Sequence, residues 1–149
     1  MADIRLLEPA AAAEALREAG AAARGFLGLD PVVQNDALLA RELGQLDAQV
    51  LHGGAGLLGF APNRAQPRQA YVASTSTDPE PLRALLAFLG SYRRCTSYVA
   101  QVPEGAPGTA AFESCGFKHV GTLRAHRFES GAYRDVHVYY SDGEGSCRS

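Results

Sequence analysis

The sequence predicts a mixed α/β fold, a sheet of about seven strands flanked by about four helices. Three observations predict it. The chain has 149 residues, the usual size of one domain, and its 46% apolar and 20% charged residues are ordinary for a globular protein. Apolar residues recur at helical spacing in some stretches and form short strand-like blocks in others. Most strand-like blocks are joined by turn signals and two by a later helix, a combination that builds a mixed sheet covered on both faces.

The elements follow in order. Ile4 to Leu7 reads as a first short strand. Pro9 opens an alanine-rich helix expected to run to about Arg24, with Glu14 and Arg17 on one face, before Gly25 and Gly28 break it. Asp30-Pro31 predicts the cap and first turn of a second helix, with Val33, Ala37, Ala40 and Leu43 facing the core and Gly44 ending it. Asp47 to His52 and Gly56 to Ala61 read as strands joined by a Gly-Gly-Ala turn. Pro62 to Pro67 reads as a polar loop, and Arg68 to Thr75 as a third strand of this group.

Asp78-Pro79-Glu80 predicts a helix start, and Leu82, Leu85, Leu86 and Leu89 form an apolar face on a helix reaching Arg94. Thr96 to Val102 is a strand, and Gly105 to Cys115 a short helix stopped by Gly116. Val120 to Phe128 and Tyr133 to Tyr140 form a hairpin around Ser130-Gly131. One domain over 1–141 is expected, with a polar, glycine-rich tail over 142–149.

Composition narrows the function. The net charge of −2 gives no overall field for nucleic acid or an anionic membrane, so neither is an expected partner. Lys118 is the only lysine, and the arginine pairs Arg64/Arg68 and Arg93/Arg94 read as solvated surface charge. Three cysteines, Cys95, Cys115 and Cys147, have neither disulfide-framework nor zinc spacing. The first residues lack a basic segment followed by an apolar core, and no apolar run is long enough to span a bilayer. A cytoplasmic protein with reduced thiols is the expectation.

The stretch Thr109-Ala110-Ala111-Phe112-Glu113-Ser114-Cys115-Gly116-Phe117, then Val120-Gly121, then Gly131-Ala132-Tyr133-Arg134-Asp135-Val136, resembles the ending of the GNAT family of acyl-CoA-dependent N-acyltransferases. The order of elements resembles that family from Ile4 to Tyr140. There is a physical reason for this ending: Gly116 can turn left-handed and close a helix, which drops Phe117 into the core. The resemblance implies a GNAT-like mixed sheet and acetyl-CoA or another acyl-CoA as co-substrate. The donor would lie in a wedge between Val72-Ala73-Ser74 and the strand near Tyr98 to Ala100. Thr77, Leu82 and Arg83 at the next helix start, and Phe112 on the short helix, would complete its seat. A small-molecule or peptide amine would enter from the opposite face, and a homodimer is compatible with the family.

The phosphate loop departs from the family pattern. Thr77-Asp78-Pro79-Glu80-Pro81-Leu82 stands where the family has a glycine-rich loop. A helix start holds phosphate through free backbone N–H groups and the positive end of its dipole. Pro79 and Pro81 each remove a donor, and Asp78 and Glu80 bring carboxylates to the anion's place. A like-charge contact at ~4 Å costs about 4 kcal/mol at an effective dielectric near 20. These residues read instead as a self-capped start, with Thr77 or Asp78 as cap and Glu80 completing a capping box. Arg64, Arg68 or Arg83 could replace some of the lost contacts.

The acid is altered as well. The family's tyrosine on the short helix is Phe112 here, which has no proton to give. Tyr98, Tyr133, Tyr139 and Tyr140 remain as substitutes, Tyr133 among the candidates for catalysis. Glu42 on the second helix is a candidate base toward an amine, set against the plainer reading of a surface carboxylate. Gln34, Asn35 and Asp36 fall where the family's acceptor wall lies. His126, His137 and Asp135 share the last hairpin, but surface histidines are the commoner reading and no metal is expected. Cys115 reads as core packing. Two alternatives to the acyl-CoA enzyme stand beside it: a GNAT-fold binding or dimerisation module without CoA, and an acyltransferase fed by a carrier-protein thioester.

Overall fold

The computed structural model of the protein describes residues 4–54, 56–129 and 131–143. Ala55 and Ser130, from the two predicted hairpin turns, and Cys147 with most of the predicted tail lie outside the described residues. The elements are β1 (Ile4–Leu7), α1 (Pro9–Ala19), α2 (Asp36–Gln45), β2 (Gln49–Gly53), β3 (Gly56–Asn63), β4 (Gln66–Ser74), α3 (Pro79–Tyr92), β5 (Ser97–Pro103), α4 (Thr109–Ser114), β6 (Lys118–Glu129) and β7 (Ala132–Ser141). Two short 3-10 segments, Gly20–Ala23 and Phe26–Gly28, link α1 to the loop before α2.

The seven strands form one sheet in the order β1-β2-β3-β4-β5-β7-β6. Every neighbouring pair is antiparallel except β4 and β5, which run parallel across the α3 crossover. The central strands are apolar on both faces, as a doubly covered sheet requires. Leu51, Leu58 and Val72 pack in one layer with Leu82, Leu85, Leu86 and Leu89 of α3 and Ala111 and Phe112 of α4. Their sequence neighbours Val50, Leu57 and Ala73 point the other way, to Leu16 of α1 and Leu39 and Leu43 of α2. The predicted order of elements and the fold class are therefore observed.

Three boundaries differ from expectation. α1 ends at Ala19, because Gly20 takes a positive φ of 59° and the chain tightens into 3-10 turns. α2 starts at Asp36, five residues beyond Pro31, because Asn35 is its cap and accepts from the Leu38 N–H at 2.9 Å. Asp30 instead terminates the preceding loop, accepting from the Val32 N–H. Val33 and Ala37 are consequently exposed, and Leu39 joins Leu43 as the core face. The stretch Pro62 to Pro67 is no open loop: β3 and β4 run into it and turn at Arg64-Ala65, with an irregular register between Pro62 and Asn63 that accommodates the proline.

Candidate active site

The parallel pair β4 and β5 stays together for three residue pairs only, Gln69 with Ser97, Ala70 with Tyr98 and Tyr71 with Val99. Beyond them both strands continue but are no longer paired with each other. Each is held from outside: Val72, Ala73 and Ser74 pair with Phe60, Gly59 and Leu58 of β3, and Ala100 to Pro103 pair with β7. The wedge is therefore preformed, and edges of backbone face across it. Its β5 side begins at Ala100, later than the predicted Tyr98, because Tyr98 still pairs with Ala70 and its hydroxyl donates to the Leu86 carbonyl at 3.2 Å.

On the α1/α2 face the wedge opens into two small adjoining cavities of about 180 and 160 Å³, which share Gly28 and Gln101. The segment Gly25 to Gly28 forms their outer wall and is pinned by two close approaches. Gly59 leaves room for the Phe26 ring, since a methyl group there would come within 2.6 Å of it. Gly25 holds a left-handed φ of 79°, and a methyl group on it would lie 2.3 Å from Cγ of Pro103. Leu27 is left-handed as well, with φ of 50°, an uncommon conformation for a side chain of that size.

The second cavity is bordered by β6. Three residues, Arg124, Ala125 and His126, sit between the pairs Leu123–Val136 and Arg127–Arg134, opposite Asp135 alone. The bulge is held by the Asp135 carboxylate, which accepts from the Ala125 N–H at 2.9 Å. It brings His126 and Arg127 to the cavity wall. Behind it lies a mostly buried ionic group. Arg24 Nε sits 3.2 Å from Asp30 Oδ1 and 3.5 Å from Glu129 Oε2. Arg127 Nη1 donates to the Gly28 carbonyl at 3.3 Å, and Nη2 stands 3.7 Å from Asp30.

On the opposite face, the start of α3 has no free amide in its first turn. The Asp78 N–H donates to Ser76 Oγ at 3.0 Å, Pro79 has none, the Glu80 N–H donates to the Asp78 carboxylate at 3.0 Å, and Pro81 has none. Asp78 is the cap and Thr77 is exposed. The capping box does not form, because Glu80 turns to an ion pair with Arg83. Pro81 is buried beneath the Gly53-Gly54 turn. Arg83 also donates to the Ser114 carbonyl at 3.2 Å, and the Cys115 thiol reaches the Pro79 carbonyl at 3.6 Å, so α3 and α4 close on each other. Gly108 lies against the Ser74 carbonyl, where a methyl group would stand 2.4 Å away. The residues of the wedge suit the pantetheine arm of an acyl donor, whereas the α3 start does not suit its diphosphate.

The other predicted residues fall as follows. Val72 and Ala73 line the wedge through their backbone, with side chains buried on opposite faces. Ser74 uses its hydroxyl on Ser76. Leu82 is fully buried in the core, so its side chain meets no ligand. Phe112 is buried edge-on against Phe117 at 5.1 Å. Glu42 accepts from Gln34 Nε2 at 2.9 Å, and Tyr133 stacks on Phe128 at the exposed hairpin tip; neither borders the two cavities. Gln34, Asn35 and Asp36 are spent on Asp30 and Glu42, on the α2 cap and on Arg17. Arg64 pairs with Asp47 and the Gln45 carbonyl at the β3–β4 turn, at the opposite end of β4 from the start of α3.

His137 contacts Thr122 and His119, while His126 sits on the bulge. Among the described residues no group of three or more His, Cys, Asp or Glu side chains is placed to hold a metal ion, and no helix is long and apolar enough to cross a membrane. Burial pushes the pKa of the Cys95 thiol up, partly offset by Arg93. Burial and the Glu113 charge push that of the Tyr139 phenol up. From the sequence Gly25 and Gly28 read only as a helix break and Tyr71 only as part of a strand, while Gln101 and Arg127 carry no local signal.

No family model and no curated protein matches the sequence. Solved structures do. Spermidine N-acetyltransferase from Vibrio cholerae, in complex with CoA and spermine, superposes with a TM-score of 0.72 at 15% identity, covering 99% of this chain and 98% of that one. A chimera of SpeG from Vibrio cholerae and hSSAT gives 0.69 at 18% identity, covering 98% and 99%. At this identity the likeness shows the fold: the chain has the GNAT fold over nearly its whole length.

Proposed function

We propose that this protein is an N-acyltransferase that moves an acyl group, in the first instance acetyl, from an acyl-CoA thioester to a small primary amine. The parting of β4 and β5 beyond Tyr71 and Val99 carries the reading. It leaves a slot edged by backbone hydrogen-bonding groups, the geometry in which an extended pantetheine arm adds as a pseudo-strand. The arm would lie along Val72 to Ser74, and the thioester carbonyl would reach the mouth shared by the two cavities, beside Gln101. The structural neighbours are spermidine N-acetyltransferases, which supports an amine entering from that side.

The chemistry is addition and elimination. The neutral amine adds to the thioester carbonyl, the ammonium of the adduct gives its proton to water, the C–S bond breaks as the adduct collapses, and the departing thiolate takes a proton from water. No carboxylate or tyrosine hydroxyl stands ready as acid or base except the Tyr71 phenol at the cavity wall. Rate enhancement therefore rests on holding the reactants together, a contribution worth several kcal/mol in well-aligned systems. Thiol release from acetyl-CoA, followed across amines from polyamines to amino acids, tests the proposal. Amine-dependent release is the expected result, and none with any amine would refute it.

A second reading is favoured by the blocked α3 start. A donor gripped by its pantetheine arm alone would serve as well, including a thioester carried on a partner protein. Release from acetyl-phosphopantetheine at a rate matching acetyl-CoA would favour this reading.

A further inference from the structure

The acceptor cavities have a charge character that the fold does not dictate. No carboxylate lines either of them. Their polar walls come from Gln101, His126, Arg127 and Tyr71, and among the described residues lining them Arg127 is the only permanently charged side chain. The neighbouring carboxylates are already committed: Asp30 and Glu129 converge on Arg24, Asp30 also pairs with Arg127, and Asp135 accepts from the Ala125 N–H. Asp30 spends a further lone pair on the Val32 N–H.

Arg127 pairs with Asp30 at 3.7 Å but keeps spare hydrogen-bonding capacity: Nη1 makes one long bond to the Gly28 carbonyl, Nη2 stands beyond hydrogen-bond reach of Asp30, and the buried Nε–H has no hydrogen-bond partner. A guanidinium with spare donors on a cavity wall matches a planar anion. The same wall repels a second ammonium group, which would find no acid to pair with.

We propose that the acceptor is an amine bearing a carboxylate, such as an amino acid, with its carboxylate on Arg127 and the amide of Gln101, rather than a polycation. The β6 bulge is the device that presents Arg127, and the Gly28 carbonyl holds the guanidinium at the cavity rim. The inference rests on the acyltransferase reading for its reaction, but the carboxylate seat exists independently of any donor.

The test has two arms that separate those claims. In the first, acetyl transfer is compared between amino acids, their carboxamides and spermidine. The carboxylate-bearing amines are expected to exceed both by at least tenfold in kcat/KM. His126→Glu, at an exposed bulge position outside the ionic group, is expected to shrink that preference at least tenfold. Spermidine or the carboxamides performing equally well would overturn the inference while leaving the acyltransferase reading intact.

In the second arm no donor is present. Thermal unfolding is followed with N-acetyl amino acids and with their amides, in wild type, His126→Glu and Arg127→Gln. Stabilisation by the acids alone, lost in both variants, is expected. Equal shifts for acids and amides, or no shift at all with millimolar acid, would overturn the inference even if transfer fails for want of a donor. Should Arg127→Gln not fold, His126→Glu still decides between these outcomes.

Discussion

Gly59 and Phe26 show how much of the site rests on single residues. The ring of Phe26 covers the α1/α2 face of β3 only because position 59 has no side chain, and its burial contributes about 2–3 kcal/mol. Gly59→Val is expected to displace the ring, cost about 1–3 kcal/mol in urea unfolding, and raise the acceptor KM through the Gly25–Gly28 wall. Gly25→Ala should cost about 3 kcal/mol, since it adds left-handed strain to a clash with Pro103. A second residue-level effect is alkaline. Burial raises the folded-state pKa of Cys95 and Tyr139, so the stability linked to each is present below its ordinary alkaline range and lost as pH rises through the raised value. Unfolding free energy should therefore decline above about pH 9, and Cys95→Ala should delay the decline. At this scale the sequence makes Gly116 legible: a Gly-Phe step after a helix has few uses, and Gly116 does turn left-handed with φ of 86°. Gly59 sits in an apolar strand, and nothing local says which ring lies over it.

At the level of elements, the start of α3 was the most legible feature and the start of α2 the least. Two prolines and two acids within one turn can mean only lost donors and added negative charge, and the structure realises that with Asp78 as cap. Asp78→Ala should destabilise the fold by about 1 kcal/mol. Combining Asp78→Ala with Pro79→Gly and Glu80→Gly frees backbone amides and is expected to raise CoA affinity at least fivefold by calorimetry, leaving acetyl-phosphopantetheine unchanged. An equal gain for both ligands would mean that the diphosphate is not what the turn excludes. The α2 boundary was misread because Asp30-Pro31 and Asn35-Asp36 are both good helix starts. Asp30 lost because Arg24, and Arg127 from far along the chain, recruit it to the ionic group behind the cavity. The β6 bulge likewise depends on Asp135 across the hairpin, which no periodicity in β6 reveals.

Across the whole molecule, the sheet order and its one parallel junction decide where chemistry can occur. The seven strands pair into one sheet, and β4 and β5 part while both strands continue, so that parting is a place where a ligand can add to the sheet without breaking it. The order of elements was readable from turn signals and apolar spacing. The parting was not, since it depends on β3 and β7 pulling two strands apart by their own pairing. With no carboxylate among the described residues lining the cavities, kcat/KM is expected to rise with pH along the ionisation of the acceptor amine itself and to move when that amine is exchanged. A fixed limb near neutrality for all acceptors would assign the proton to a protein group instead. The central claim is that the wedge holds the donor by its pantetheine arm while the α3 start contributes nothing. Calorimetric titration with acetyl-CoA and acetyl-phosphopantetheine measures this directly. Binding of both, with dissociation constants within about threefold of each other, a gap of less than 1 kcal/mol, is predicted. Failure of both to bind at millimolar concentration would contradict the claim, as would acetyl-CoA binding a hundredfold more tightly.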